Sequence, residues 1–287
     1  MYISMKTTIL AMLIMATCTT ADAQEQRTLT ILHTNDAHST IYPLNKNLAD
    51  TMKAGRGGFI RRMEVVKDER EKDDRLLLLD SGDFSQGSPY YTLFKGDVEV
   101  GLMNLMGYDA ATIGNHEFDF GLENMARLFR KAHFAVVCAN YDFSGTPVEG
   151  TVKPYVVLKR KGTKVGIFGL SPKMDGLVDS KNCEGVAYLD PIETAKETVR
   201  TLREKEGCDV VICLSHLGWD VQGMDDRKLI EETQGIDLVL GGHSHTYMEH
   251  LETVKDKEGQ EVGVDQNGKH AIYVGKMVLT LEKDYSK

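Results

Sequence analysis

Five apolar runs in this chain end on residues that can bind or move charge. TLTILHT runs into NDAHS, RLLLLD into SGDF, DAATI into GNHEFD, DVVICL into SHLG, and IDLVL into GGHSHT. In an extended segment, Asp36 and His38 would point to the same side, so a carboxylate and an imidazole could reach one cation. Gly82 lets the backbone turn sharply before Asp83, whose carboxylate has two oxygens and can bridge two cations. Asn115 offers a neutral carbonyl oxygen. Asp119, three residues past His116, can accept from one ring nitrogen and orient the other toward a substrate. Behind Gly241 and Gly242, two small residues that admit close approach, His243 and His245 can each serve a different ion.

These residues need elements to carry them. Apolar runs at 28–34, 75–80, 109–114, 134–140, 154–160, 164–171, 209–216, 236–242 and 271–282 predict strands. Helical patterns fall at 58–72, 97–106, 122–132, 191–206 and 225–234. The alternation predicts an α/β layered fold with largely parallel strands inside and helices outside, and the near-continuous apolar strands predict cover on both faces. Ligands of open α/β sheets gather at the carboxyl ends of strands, so five strand ends point to one site. The polar, Gly-rich 254–270 reads as an exposed β-hairpin or loop. His33, His133, His250 and His270 read as core, capping or surface residues, and Glu117 as a packing group or a support for the ligands. Trp219 could line the site or wall the core.

The chain has 287 residues, enough for one large domain. Lys6 precedes an apolar run that is too short to span a bilayer, and Ala21-Asp22-Ala23 offers a cleavage site. Residues 1–23 are therefore expected to be a signal peptide and 24–287 the mature domain, exported to the periplasm or secreted. Lipoprotein anchoring through Cys18 fits less well, because Met15-Ala16-Thr17 is a poor lipobox. One Lys and one Asp leave with the leader, so the net charge stays at −9. An acidic chain without a basic cluster argues against a nucleic-acid polymer as partner, and no later apolar run reaches membrane length. Of the remaining cysteines, Cys138 and Cys213 lie in strand-like runs and read as buried thiols, while the disulfide status of all four, Cys138, Cys183, Cys208 and Cys213, stays open. Without a CxxC, a thiolate metal site is disfavoured.

Together HTNDAHS, DSGDFSQGS, GNHEFDFG, LSHLG and GGHSHT resemble the calcineurin-like metallophosphoesterases, in particular their secreted 5′-nucleotidase branch. The resemblance implies a layered α-β-β-α sandwich of two mixed sheets flanked by helices. It implies that Asp36, His38, Asp83 and His245 hold one divalent metal ion and that Asp83, Asn115, His216 and His243 hold a second, with His116 and Asp119 as a catalytic dyad. Carboxylate, imidazole and amide donors suit Mn, Zn, Fe or Co. The implied reaction is hydrolysis of phosphate monoesters, foremost nucleoside 5′-monophosphates, by a hydroxide activated between two metals. The same centre would also serve a 2′,3′-cyclic-nucleotide phosphodiesterase, a thiosulfonate hydrolase, or a metal-bearing subunit that needs a separate recognition chain. Two departures stand out. Ser39 occupies a position where glycine is common, and the arginines and base-sandwiching aromatics of the branch's C-terminal domain do not follow KMVLTLEKDYSK. The implied partners are a small phosphate ester and a separate chain carrying that domain.

Overall fold

The computed structural model describes residues 4–9 and 27–281. The expected cleavage after Ala23 and Cys18 lie outside the described residues. In chain order the strands are β1 (Ser4–Ile9), β2 (Arg27–Thr34), β3 (Leu77–Asp80), β4 (Ala110–Ala111), β5 (Ala135–Val136), β6 (Tyr141–Asp142), β7 (Tyr155–Arg160), β8 (Thr163–Leu170), β9 (Ala187–Tyr188), β10 (Val210–Ser215), β11 (Leu238–Leu240), β12 (Glu252–Lys255), β13 (Glu261–Asp265) and β14 (Tyr273–Leu281). The α-helices are α1 (Phe59–Lys72), α2 (Pro89–Phe94), α3 (Asp97–Met106), α4 (Gly121–Phe129), α5 (Pro191–Arg200) and α6 (Asp226–Glu232).

One sheet has the order β1-β14-β2-β3-β4-β5 and the other β12-β13-β11-β10-β8-β7, with β6 and β9 forming a small ribbon. Pairing is parallel from β2 through β5 and from β8 through β13, and antiparallel where β14 meets β2, β7 meets β8 and β12 meets β13. The sheets are thus mixed, with parallel cores.

Strand alternation sorts the side chains into three apolar layers. Leu29, Ile31, Leu77 and Leu79 of one sheet meet Val165, Ile167, Val210, Ile212 and Leu214 of the other. Their neighbours Leu32, Leu78 and Ala111 face outward onto Phe59, Val66, Met103 and Met125 of the first helical layer. On the far side, Val211, Cys213 and Val239 face Ala195, Val199, Leu229 and Ile230. Each aliphatic side chain so buried contributes about 1.5–3 kcal/mol. This is the expected α-β-β-α sandwich.

Several elements differ from the sequence reading. The runs at 109–114 and 134–140 form strands of only two residues each; the first continues into the loop that carries Asn115 and His116, and the second crosses over, its Cys138 and Ala139 N–H groups donating to the Lys153 and Gly169 carbonyls. Helix α5 widens into a π-helical turn over Thr201–Lys205. Helix α2 was not expected; Ser88 caps it by accepting from the Tyr91 N–H, and Pro89 starts it, a cap worth about 1 kcal/mol. The segment 254–270 does form a hairpin, but β13 is buried beside β11 rather than exposed. His33 is a core residue, bonded at 2.9 Å to Asp265. Trp219 is buried in the second helical layer. Cys138, Cys183, Cys208 and Cys213 are free thiols. Among the described residues no helix is long and apolar enough to cross a membrane.

Asp226, the first residue of α6, is fully buried beneath the end of β10. Its Oδ1 accepts from the Ser215 hydroxyl, while Oδ2 has no hydrogen-bond partner. Burial pushes this carboxyl up to about 7, against the pull of the Ser215 hydrogen bond. The folded state therefore holds a proton that the unfolded chain releases near pH 4, and stability falls as pH rises from about 4 to 7. Asp226→Asn removes that slope. Melting curves should show the variant gaining stability relative to wild type at pH 8 compared with pH 5; an equal offset at both pH values would refute the assignment.

Candidate metal centre

Loops leaving the carboxyl ends of β2, β3 and β4 in one sheet, and of β10 and β11 in the other, converge at the seam between the sheets. They carry Asp36 and His38, Asp83, Asn115 and His116, His216, and His243 and His245 respectively. The backbone is bent hard where these side chains leave it. Asp36, His38, Asp83, His243 and His245 all have positive φ, between 44° and 69°. This conformation is uncommon for residues with a Cβ and costs on the order of 1–3 kcal/mol each. The extended geometry expected for Asp36-x-His38 is therefore replaced by a left-handed turn. The two side chains still meet, with His38 Nε2 3.5 Å from Asp36 Oδ1. Ser39 shares the left-handed backbone, φ 46°, which accounts for the preference for glycine there, and its hydroxyl accepts from the Gln86 N–H at 2.9 Å.

Two groups of donor atoms result. In the first, His245 Nε2 lies 3.3 Å from Asp36 Oδ1 and 3.2 Å from His38 Nε2. In the second, His216 Nε2 lies 3.1 Å from Asp83 Oδ2, and the His243 ring stands 5.2 Å from that of His216. Asp83 faces both groups through one oxygen, because Oδ2 is also 3.7 Å from His38 Nε2 while Oδ1 accepts the His116 N–H at 2.9 Å. Asp36 Oδ1, Asn115 Oδ1, His216 Nε2 and His243 Nδ1 are buried without a hydrogen-bond partner. Leaving a buried polar atom unpaired costs about 1–3 kcal/mol. Four such atoms pointing into one seam, all of them carboxylate, amide or imidazole donors, fit a divalent cation.

Surrounding groups fix which ring nitrogen faces inward. Gln86 Oε1 lies 2.5 Å from His38 Nδ1, and the Ser81 carbonyl 2.6 Å from His216 Nδ1. Each takes the Nδ1–H and leaves Nε2 to the cation. Burial opposes ionisation of Asp36, but the adjoining His245 and His38 imidazoles outweigh it and hold the carboxyl well below the usual range. At His216 burial disfavours the charged ring, yet the adjoining Asp83 raises it to about 10, showing a field that favours positive charge at Nε2. Burial and the nearby His216 lower His243 to about 4, which leaves it a neutral donor.

His116 stands at the rim, its Nδ1 3.2 Å from both Asp119 oxygens and its ring 5.3 Å from that of His38. Burial lowers its pKa, but Asp119 and Asp83 raise it overall. The Tyr91 hydroxyl donates to the His116 carbonyl at 3.1 Å, and the Asn182 amide to that of Asp119 at 3.0 Å. Glu117 is buried, and its carboxylate accepts the N–H groups of Gly114 at 2.7 Å, Asp83 at 3.0 Å and Ser85 at 3.3 Å, tying two ligand loops together. The sequence reading missed Gln86 and the proximity of His270, whose ring is 6.3 Å from that of His38. Gln86 lies within DSGDFSQGS and could have been found there; His270 had no local signal.

Gly242 makes the close approach possible, since a Cβ there would fall 2.8 Å from both His216 Nδ1 and the Ser81 carbonyl oxygen. Gly242→Ala should push His216 off its supporting carbonyl and weaken divalent-metal binding about 10–100-fold, measured by competition with a chromophoric chelator. Unchanged affinity would show that the seam has room to spare.

Residues 29–247 match the family model described as calcineurin-like phosphoesterase. The chain is 32% identical over 262 residues to the trifunctional nucleotide phosphoesterase YfkN of Bacillus subtilis (strain 168), an alignment covering 80% of this chain and 17% of that protein. It is 33% identical over 226 residues to the 5′-nucleotidase of Bos taurus, covering 77% and 38%. The solved structure of a 5′-nucleotidase precursor from Thermus thermophilus superimposes with a TM-score of 0.81 at 32% identity, over 89% of this chain and 52% of that one. The chain thus spans about half or less of the length of these proteins. Because the matched region contains every loop that meets at the seam, from Asp36 to His245, the chain belongs to the calcineurin-like phosphoesterase family.

Proposed function

We propose that this chain hydrolyses phosphate monoesters, with nucleoside 5′-monophosphates as the substrate class, at two divalent ions. The observation that carries the reading is Asp83 Oδ2, set between His38 on one side and His216 on the other. Asp36, His38, Asp83 and His245 would hold one ion, and Asp83, Asn115, His216 and His243 the other. When bound, such ions supply the positive charge that lowers the pKa of a water and neutralises the phosphoryl oxygens. The names of the relatives, nucleotidases and a nucleotide phosphoesterase, support the substrate class.

The chain's own residues then do the following. With Asp119 accepting from Nδ1, His116 presents Nε2 at the rim, and Asp119 and Asp83 favour its protonated form. As water adds its oxygen to phosphorus and the ester P–O bond breaks, His116 gives its proton to the departing alkoxide, leaving an alcohol and orthophosphate. Such proton transfer is typically worth about 10²–10⁴-fold. We also infer that residues 1–23, which include the edge strand β1, direct export, and that the mature domain starting at Gln24, whose first sheet then begins at β14, acts outside the cytoplasm. A separate chain carrying a nucleotide-recognition domain would add selectivity.

Metal analysis of the purified chain should find two ions, and Asp83→Asn should reduce metal content and activity on an aryl phosphate more than His243→Ala or His245→Ala does. A single ion per chain in a preparation never exposed to chelator would overturn the two-ion reading. His116→Ala should lower kcat by two or more orders of magnitude with metal content nearly intact, and Asp119→Asn should act in the same direction less severely. Loss of metal from the His116 variant would place that residue among the ligands instead.

A further inference from the structure

A second feature adjoins the metal centre. A cavity of about 360 Å³, within the range of small-ligand sites, opens beside His38. Two of its walls are tyrosines. The rings of Tyr42 and Tyr90 stand 6.2 Å apart, tilted by 36°, and Tyr42 is 60% exposed. Gln86, Lys269 and His270 are among its other lining residues.

The rings hang on the loops that carry the ligands. Tyr42 follows the turn bearing Asp36 and His38; Tyr90 lies in the first turn of α2, seven residues after Asp83. Those loops are laced together by N–H donation from His38 to the Asp83 carbonyl at 3.0 Å and from Ser39 to that of Phe84 at 3.0 Å. The next residue of α2, Tyr91, holds the His116 loop. The aromatic wall is thus fixed relative to the ligands and to His116 alike. On the opposite flank, beside His243, a cavity of about 500 Å³ also has one lysine, Lys173, but pairs it with Asp190 and has a single tyrosine, Tyr188. The His38 cavity has two tyrosines, one lysine and no carboxylate among its lining residues. It suits an anionic ester that ends in a flat ring.

We propose that the Tyr42–Tyr90 cavity receives the planar aromatic part of the ester's leaving group, a nucleobase in the substrate class assigned above, by stacking against the tyrosine rings. The assignment rests on the proposed phosphomonoesterase activity and gives this domain a base-reading surface of its own. Stacking on an aromatic face is worth about tenfold in affinity or more.

Two measurements on the metal-loaded chain test the cavity and the activity separately. Calorimetric titration with adenosine needs no turnover. Tyr42→Ala/Tyr90→Ala should weaken adenosine binding about tenfold, and Tyr90→Phe, which keeps the ring, should retain it. The single Tyr42→Ala substitution, at a largely exposed side chain, gives the same direction should the double variant fold poorly. In kinetics, the ratio of kcat/KM for AMP to that for ribose 5-phosphate should fall about tenfold in the alanine variants. Adenosine that fails to bind wild type, or binds wild type and variants alike, overturns the cavity whatever the chain hydrolyses. Tyrosine-dependent adenosine binding without hydrolysis of ribose 5-phosphate upholds the cavity and overturns the activity.

Discussion

Asp83 Oδ2 lies 3.1 Å from His216 Nε2 and 3.7 Å from His38 Nε2, and much of the structure serves to hold it there. Together with Asp36 it places two carboxylates in the protein interior within reach of several imidazoles. Burying charge is unfavourable unless opposite charge or hydrogen bonds compensate. The protein partners compensate only in part, because Asp36 Oδ1, Asn115 Oδ1, His216 Nε2 and His243 Nδ1 have no hydrogen-bond partner. A centre of this kind stabilises the fold fully only when cations complete it, so binding and folding free energy are coupled at the seam.

Holding such a centre open requires rigidity elsewhere. The ligand loops adopt left-handed backbone at Asp36, His38, Ser39, Asp83, His243 and His245, conformations that persist only when the surroundings over-determine them. Those surroundings are visible. The 36–39 turn lies against 82–84 through three N–H donations, Glu117 clamps 83–85 to 114, and the Ser81 and Gln86 oxygens fix two imidazole tautomers. Beneath them the parallel strands carry all five loops to one end of the sandwich, as the carboxyl-end rule for α/β sheets requires. The apolar layers set the positions of the loops, and the loops aim the donors.

This hierarchy explains what could be read from the sequence. The residues that gather at the seam were legible because Asp, Asn and His are poor strand residues, so their placement directly after apolar runs marked strand ends. The sandwich was legible because Leu29, Leu32, Leu77 and Leu78 alternate between two buried faces. Backbone conformation was not. Nothing local in NDAHS distinguishes an extended Asp36 from a left-handed one; the choice is made by contact with 82–84, more than forty residues away. Helix α2 was hidden by its brevity, and β13 by a polar sequence whose burial depends on pairing with β11. Nothing local in the sequence pairs Tyr42 with Tyr90, since only the folded loops bring them together.

The two donor groups are unequal, and the inequality gives the site a direction. His216 is fully buried and is braced by a backbone carbonyl that cannot rotate away. His245 has a side chain 36% exposed, and its partner His38 is braced by Gln86, a side chain on a loop. At His216 the second group is therefore the more rigidly built, although its His243 lines the cavity on the opposite flank, while the first group borders solvent, the His116 rim and the tyrosine-walled cavity. On the proposed reading, an ester entering by that tyrosine-walled cavity would reach the first group and His116 first, with its phosphorus toward Asp83 and its leaving group still against the tyrosines. The same placement would put the proton of His116 where the proposed alkoxide departs, so the exposed His245 and the fully buried His216 would set the direction of entry and release.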